Sequence, residues 1–121
     1  MIEIIIRNYL EGALDVPVFL QMPEVPSEEY PVLPDEFVLI QKIAGAKTNH
    51  IDYSAFACQS YSLTSMQNAA ELDMRVREKM EQAAELPVMA SVRLASNYNF
   101  TDTATKRYRY QAVFDIYHYG G

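Results

Sequence analysis

The sequence predicts an α+β fold: a single domain spanning residues 1–121, with a mainly antiparallel sheet of about four or five strands and two helices packed on one face of it. Residues 107–119, which read RYRYQAVFDIYHY, alternate with the period of two that is typical of a half-buried strand. Residues 2–14 and 64–83 instead carry apolar side chains three and four positions apart, as amphipathic helices do. The predicted order is helix, weak strand, strand, strand, helix, strand, strand.

The first helix presents one apolar stripe, formed by Ile2, Ile5, Ile6, Tyr9, Leu10 and Ala13. We expect Gly12 and Pro17 to end it, and residues 17–22 (PVFLQM) to form a short edge strand. Residues 23–36 hold four prolines and five acidic side chains. Because proline lacks a backbone donor, this stretch is predicted to be an acidic surface loop, long enough to be functional or to be ordered by a partner.

Residues 37–43 and 50–61 are predicted to form a hairpin around a turn at 45–49. The facing of its second strand is ambiguous. One candidate core row holds Ile51, Tyr53, Ala55 and Ala57, and the other holds Phe56 and Cys58. A strand that is apolar on both faces is covered on both, by helices or by another subunit.

The second helix is predicted to begin at Thr64, which has capping-box spacing to Gln67. Pro87 stops it. Its apolar stripe is formed by Met66, Ala69, Leu72, Val76, Met80 and Ala83. A strand at 89–95, with Val92 and Leu94 inward and Arg93 outward, and a polar connection at 96–105 lead to the last strand. There one face holds Tyr108, Tyr110, Ala112, Phe114, Ile116 and His118.

Composition excludes several classes of function. The formal net charge of −6 argues against a general nucleic-acid binder, whose affinity comes mainly from lysine and arginine on phosphates. Cys58 is the only cysteine, so no internal disulfide forms and an intracellular origin is expected. The N-terminal residues MIEIIIRNYL resemble neither a signal peptide nor a membrane span.

Candidate chemistry is weak throughout. The stretch Gly45-Ala46-Lys47-Thr48 echoes a phosphate-binding loop, but its glycine spacing is wrong and a strand follows where a helix is needed. His50 and Asp52 have usable metal spacing but too few companion ligands. Cys58, in mid-strand, suits packing better than nucleophilic attack. The sequence therefore predicts no catalytic, metal-binding or cofactor-binding residues, and no enzyme.

An interaction surface is the stronger prediction. Lys106, Arg107 and Arg109 cluster beside Tyr108 and Tyr110, but alternation sends the two arginines and these tyrosines to opposite faces, which disfavours base stacking. Tyrosine and arginine are enriched at protein interfaces, and the chain has nine tyrosines. The predicted contact residues are Tyr98, Phe100, Arg107, Arg109, Tyr117 and Tyr119.

The stretches PVFLQMP, FVLIQKIAGAKTNHIDYSAFACQSYS and SVRLASNYNFTDTATKRYRYQAVFDIYHY, with the two helices, resemble tail-terminator (tail-completion) proteins of long-tailed phages and prophages. The resemblance covers nearly the whole chain and involves no catalytic motif. It implies a homo-oligomeric ring, usually of six subunits, at the head-proximal end of the virion tail after assembly in the host cytoplasm. Its partners would be the tail tube protein and the head connector, with DNA passing through the ring, and without membrane contact or sequence-specific nucleic-acid binding.

Two other readings remain open. One is a head–tail connector or neck protein, which differs from a terminator only in its position in the particle. The other is a small α+β ligand-binding domain or enzyme, which would need a concave site with convergent polar groups.

Overall fold

The computed structural model describes residues 1–47, 50–101 and 107–119. It contains one five-stranded sheet and two α-helices, so the predicted α+β class is confirmed. In chain order the elements are α1 (Ile2–Leu14), β1 (Val18–Phe19), β2 (Glu36–Lys47), β3 (Ile51–Ser62), α2 (Met66–Gln82) with a short 3₁₀ helix (Ala83–Glu85), β4 (Met89–Asn99) and β5 (Tyr108–Tyr119).

The strands lie in the order β1-β2-β3-β5-β4, and only the β1–β2 pair is parallel. The last strand therefore has a neighbour on each side, as its length and alternation predicted. β4 forms one edge of the sheet. At the opposite edge β1 pairs only with Val38 and Leu39, so within the described residues the later half of β2 has no strand on its outer side.

Both helices pack on one face of the sheet, which confirms the predicted layering. The main core joins α1, α2 and side chains from all five strands; it includes Ile6, Leu10, Leu72, Val76, Met80, Val18, Val38, Ile40, Phe56, Cys58, Met89, Ala112, Phe114 and Ile116. The Tyr9 hydroxyl donates to the Lys79 carbonyl at 2.7 Å and so ties the two helices together.

This packing resolves the facing of β3. Phe56 and Cys58 point into the helix-covered core, whereas the row from Ile51 to Ala57 lies on the other face. Of the two candidate core rows, the row from Ile51 to Ala57 is therefore not the one that the helices cover. Ile51 is exposed, so its placement in a core was wrong, whereas Ala55 and Ala57 are buried. In β5 the predicted alternation holds, with Ala112, Phe114, Ile116 and His118 buried and Tyr108 and Tyr110 half-buried.

Several predicted boundaries were wrong. Helix α1 continues through Gly12 and ends before Asp15, which adopts left-handed backbone angles. Ser65, not Thr64, caps α2: its hydroxyl accepts a hydrogen bond from the Asn68 amide at 3.2 Å. Thr64 donates instead to Asp35, so the predicted capping box does not form.

Strands β2 and β4 are both longer than predicted. β2 runs through Gly45 to Lys47 rather than turning there, and positions 48 and 49 of the predicted turn lie outside the described residues. β4 extends to Asn99, so Tyr98 lies in a strand and not in a connection. Val92 and Leu94 both face the helices by register, but Leu94 is exposed because it lies on the edge strand.

An acidic residue occupies the buried stripe of α2, which the sequence pattern did not indicate. Asp73 is only 1% exposed and accepts hydrogen bonds from the side-chain amide of Asn97 and from Arg77. Burial raises the pKa of the Asp73 carboxyl, while the hydrogen bonds from Asn97 and Arg77 and the charge of Arg77 oppose the rise. The contact fastens the edge strand β4 to α2.

Candidate functional site

The sheet face opposite the helices is the most distinctive surface of the molecule. Within the described residues no helix covers it, but Phe19 and Met22, from the chain between α1 and β2, pack on one part of it and bury Phe37, Leu39 and Tyr61, and Tyr30 lies edge-on to Phe19. We call it the open face. Its side chains form cross-strand rows, of which the first joins Phe37, Tyr61 and Arg109 and the second joins Leu39, Gln59, Gln111 and Tyr98.

The predicted contact residues of the described chain share this face but lie at two separate ends of it. Tyr98, Phe100, Tyr117 and Tyr119 are between 42% and 49% exposed, while Arg109 and Arg107 are half-buried. Arg109 lies opposite Tyr61 in the strand register, and its backbone carbonyl accepts a hydrogen bond from the Phe100 amide at 2.8 Å. Lys106 lies outside the described residues. That these side chains contact another protein stays a prediction.

Arg109 organises one end of the open face. Its guanidinium carbon lies 4.2 Å from the centre of the Phe100 ring, a cation–π distance. The same guanidinium donates to the Phe100 carbonyl at 2.7 Å and to the Tyr61 hydroxyl at 3.0 Å. Tyr98 meets the Phe100 ring edge-on at 5.7 Å, and Phe37 stacks on Tyr61 at 4.6 Å. The cluster is therefore held in one arrangement before any partner binds.

A chain of hydrogen bonds crosses three strands beside this cluster. The Tyr61 hydroxyl donates to the Gln59 side-chain oxygen at 3.1 Å, and the Gln59 amide donates to Gln111 at 2.8 Å. The Gln111 amide in turn donates to the Tyr98 hydroxyl at 2.5 Å. Sequence reasoning selected only Tyr98 of these four, because the pairing of glutamines from separate strands depends on the register.

A second aromatic cluster lies at the other end. The Tyr53 hydroxyl donates to Asp115 at 2.6 Å, and Arg93 also reaches Asp115, at 3.4 Å. The hydrogen bond to Asp115 is the main reason that the pKa of Tyr53 is raised. The Tyr53 and Tyr117 rings lie 5.2 Å apart. Arginine and tyrosine side chains that are held by such contacts and remain partly exposed are suited to protein contact, because little side-chain freedom is lost on binding.

A different arrangement, missed from the sequence, lies under the start of α1. A cavity of about 590 Å³ is bounded by the helix start and the β2–β3 hairpin and is lined by Ser54 and His118 among others. The Ser54 hydroxyl lies 2.9 Å from His118 Nε2, which is the spacing of a serine nucleophile and its base. In the β3–β5 register Ser54 pairs with Ile116 and Asp52 pairs with His118, so Ser54 and His118 are diagonal neighbours on the two strands. Because this placement depends on the register, no sequence motif signals the pair.

The details do not match a working catalytic pair. Ser54 and His118 are 1% and 2% exposed, so a substrate has little access to either group. His118 Nδ1 has no hydrogen-bond partner among the described residues, whereas a catalytic base is oriented through that nitrogen. Burial lowers the pKa of His118. The positive charge of Lys42 lowers this pKa further, whereas the negative charges of Asp52 and Glu3 raise it. The geometry describes a buried polar pair.

The weaker candidates from the sequence, for a metal site, a phosphate-binding loop and a nucleophile, lie in positions that do not suit those roles. The described residues contain no group of three or more histidine, cysteine, aspartate or glutamate side chains able to hold a metal ion, and His50 is exposed. Lys47 lies in β2 rather than in a phosphate-binding loop, and Thr48 lies outside the described residues. Cys58 is fully buried, and burial raises the pKa of its thiol to about 12, so it is a poor nucleophile.

In the described part of the chain, no helix is long and apolar enough to cross a membrane. No family model and no curated protein matches the sequence.

Proposed function

We propose that this protein is a virion assembly protein, a tail terminator that forms a ring on the phage tail tube, stops its polymerisation and joins it to the head connector. The observation that carries the binding part of this proposal is the open face. Tyr98, Phe100 and Arg109 hold one another at one end of this face, and Tyr117 and Tyr119 are exposed at its other end. The step from a binding surface to a tail terminator comes from the sequence resemblance.

Binding is the whole mechanism in this proposal. A tube stops growing when its last layer is covered by a subunit that adheres to it but offers no further copy of the tube surface. Such a cap needs a rigid contact surface and neighbours that close into a ring, and it needs no catalytic group. Rings require contacts between two different patches of each subunit. Tyr98 and Phe100 lie on the edge strand side of the open face, where a neighbouring subunit has access.

The decisive experiment is electron microscopy of particles from a phage or prophage in which this gene is deleted. We expect overlong, headless tubes beside DNA-filled heads without tails. Headless tails of normal length would instead place the protein in the neck, as a head–tail connector. Normal infectious virions would overturn the structural role and would direct attention to a small-molecule ligand.

Point variants test the siting of the contacts in the same system. We expect plasmid-borne Phe100→Asp or Arg109→Glu to fold, as judged by circular dichroism, but to restore far fewer normal tails than wild type. Phe100→Leu and Arg109→Lys are the matched controls, because they keep the apolar contact and the positive charge. If Phe100→Asp restores tails as well as Phe100→Leu does, the contacts lie elsewhere.

A further inference from the structure

A groove runs along the edge strand on the helix side of the sheet. It has a volume of about 490 Å³ and lies between α2 and β4, where the helix does not reach the edge of the sheet. Its floor is apolar, with Leu94 43% exposed beside Val92 and Phe114. Glu78 and Glu81 from α2 form its rim, together with Arg77 and Arg93. We call it the β4 groove.

The charges on the rim are not equivalent. Arg77 is paired with Asp73, and Arg93 is paired with Asp115. Within the described residues no ion pair uses Glu78 or Glu81. The β4 groove therefore presents two acidic side chains whose charge is not offset by a neighbour in the same subunit, above an apolar floor.

The opposite edge of the sheet has the complementary character. Residues 41–47 of β2, which we call the hairpin edge, continue past the end of β1 and have no outer strand in the described part of the chain. Ile43 is 55% exposed there, next to Leu20, and lies at a register shift between Lys42 and Ala44. Lys42 and Lys47 are the charged residues of this segment; Glu3 lies beside it at the start of α1, and Asp52 of β3 is opposite Lys47 in the strand register.

We propose that the hairpin edge of one subunit docks in the β4 groove of a second copy of this chain, with Ile43 against Leu94 and with Lys42 and Lys47 facing Glu78 and Glu81. The proposal rests on the self-assembly in the proposed function and names the contact that would build the ring. Charge complementarity favours a second copy as the occupant. Copies of a chain with net charge −6 repel one another, and a contact that sets Lys42 and Lys47 against Glu78 and Glu81 offsets that repulsion.

The position of the two patches agrees with a ring. β2 and β4 are separated by β3 and β5, so the patches lie roughly 14 Å apart across the sheet, on opposite edges. A contact between different patches on opposite sides of a subunit is heterologous and can repeat until the assembly closes. A dimer joined by a single contact of this kind would leave one hairpin edge and one β4 groove uncovered.

Side chains, rather than backbone pairing, make this contact. β4 has register shifts at Met89/Ser91 and at Leu94/Ser96, and β2 has one at Lys42/Ala44. Such bulges twist an edge strand away from regular pairing and are a common protection against edge-to-edge addition. Ile43, which lies at the β2 register shift, is 55% exposed and so is accessible for insertion into a groove.

Cysteine cross-linking tests the contact with the full chain. Ile43→Cys and Leu94→Cys proteins are prepared separately, mixed and mildly oxidised. We expect the mixture to give disulfide-linked dimers at least about tenfold more efficiently than either protein alone. Ile43→Cys mixed with Val32→Cys is the matched control, since Val32 is 75% exposed but belongs to the loop before β2. The native Cys58 is fully buried, so the wild-type chain provides the blank.

The doubly substituted Ile43→Cys/Leu94→Cys chain is expected to give a ladder of linked species that ends at the ring size. A yield in the mixture no greater than in the Val32→Cys control would overturn the proposal. So would equal linking of Ile43→Cys with itself, since that outcome shows an isologous contact.

Charge reversal provides an independent check. We expect Lys42→Glu/Lys47→Glu in the Ile43→Cys chain to reduce linking to Leu94→Cys about tenfold, and Glu78→Lys/Glu81→Lys in the Leu94→Cys chain to restore it. Unchanged linking would overturn the charge pairing. If the cysteine variants link but the deletion phage makes no overlong tails, the terminator role is refuted and the contact stands. If the deletion phage makes overlong tails but the variants do not link, this contact is refuted and the terminator role stands.

Discussion

Replacing Asn97 with alanine should loosen the edge strand from α2. The Asn97 side-chain amide lies 3.0 Å from each oxygen of the Asp73 carboxylate, which is 1% exposed. A hydrogen bond to a charged group contributes about 1.5–3 kcal/mol, and more when its loss leaves a buried partner unsatisfied. Because Asn97 itself is exposed, water can replace part of the donor, so we expect a loss of about 1–2 kcal/mol in the free energy of unfolding.

Urea denaturation followed by circular dichroism measures this loss, with Asn99→Ala as the matched control. Asn99 lies on the same strand, but its side chain has no buried charged partner: its NH₂ group donates to the sulfur of Met66 at 3.1 Å, a weak acceptor, and its oxygen accepts exposed hydrogen bonds from Thr101. We expect the control to lose less than about 0.5 kcal/mol.

The pH dependence gives a second signature. The Asn97 hydrogen bond lowers the pKa of Asp73 while burial raises it, so Asn97→Ala should raise this pKa further. A carboxyl whose pKa is higher in the folded than in the unfolded state binds protons on folding, and stability then increases as the pH falls through the folded pKa. The difference between wild type and Asn97→Ala should therefore shrink at low pH. A loss equal to that of Asn99→Ala, or one independent of pH, would refute the reasoning.

Two further predictions concern groups that the structure buries or caps. Ser65→Ala should lower the free energy of unfolding by about 1 kcal/mol, because the Ser65 hydroxyl caps α2, whereas Thr64→Ala should have a smaller effect; thermal denaturation of both variants checks this. Since burial lowers the pKa of His118, the folded state binds fewer protons, and stability should fall as the pH drops below the ordinary histidine value of about 6.5. Urea titrations at neutral and mildly acidic pH should show a smaller fall for His118→Gln, and an equal fall in both proteins would contradict this account.

Local sequence pattern was enough to predict most elements. The alternation in residues 107–119 predicted β5, and the three-and-four spacing of Ala69, Leu72 and Val76 predicted α2, because these periods follow from the backbone geometry of strands and helices. The boundaries were less secure. Ser65 and Thr64 are both good caps, and only the position of the chain after β3 decides which hydroxyl meets the Asn68 amide.

The buried polar residues could not have been predicted in this way. Asp73 lies in the apolar stripe of α2 because Asn97, from the edge strand, supplies its hydrogen bonds. His118 meets Ser54 across two paired strands. Each pairing depends on register, which the alternation of one strand does not specify, and a shift of one residue would send every side chain to the other face.

The sequence alone determined that this chain folds as an α+β domain and that its last strand has one apolar and one polar, tyrosine-bearing face, since burial of apolar side chains at the periods of helix and strand requires it. Only the tertiary structure decided which face of β3 the helices cover, and so that Tyr61, Gln59 and Gln111 join Tyr98 and Arg109 on the open face. The strand order likewise left β4 at one edge and, past the end of the short β1, the later half of β2 at the other. These outcomes depend on contacts between segments far apart in the chain, and such contacts are selected by packing of the whole molecule rather than by any local pattern.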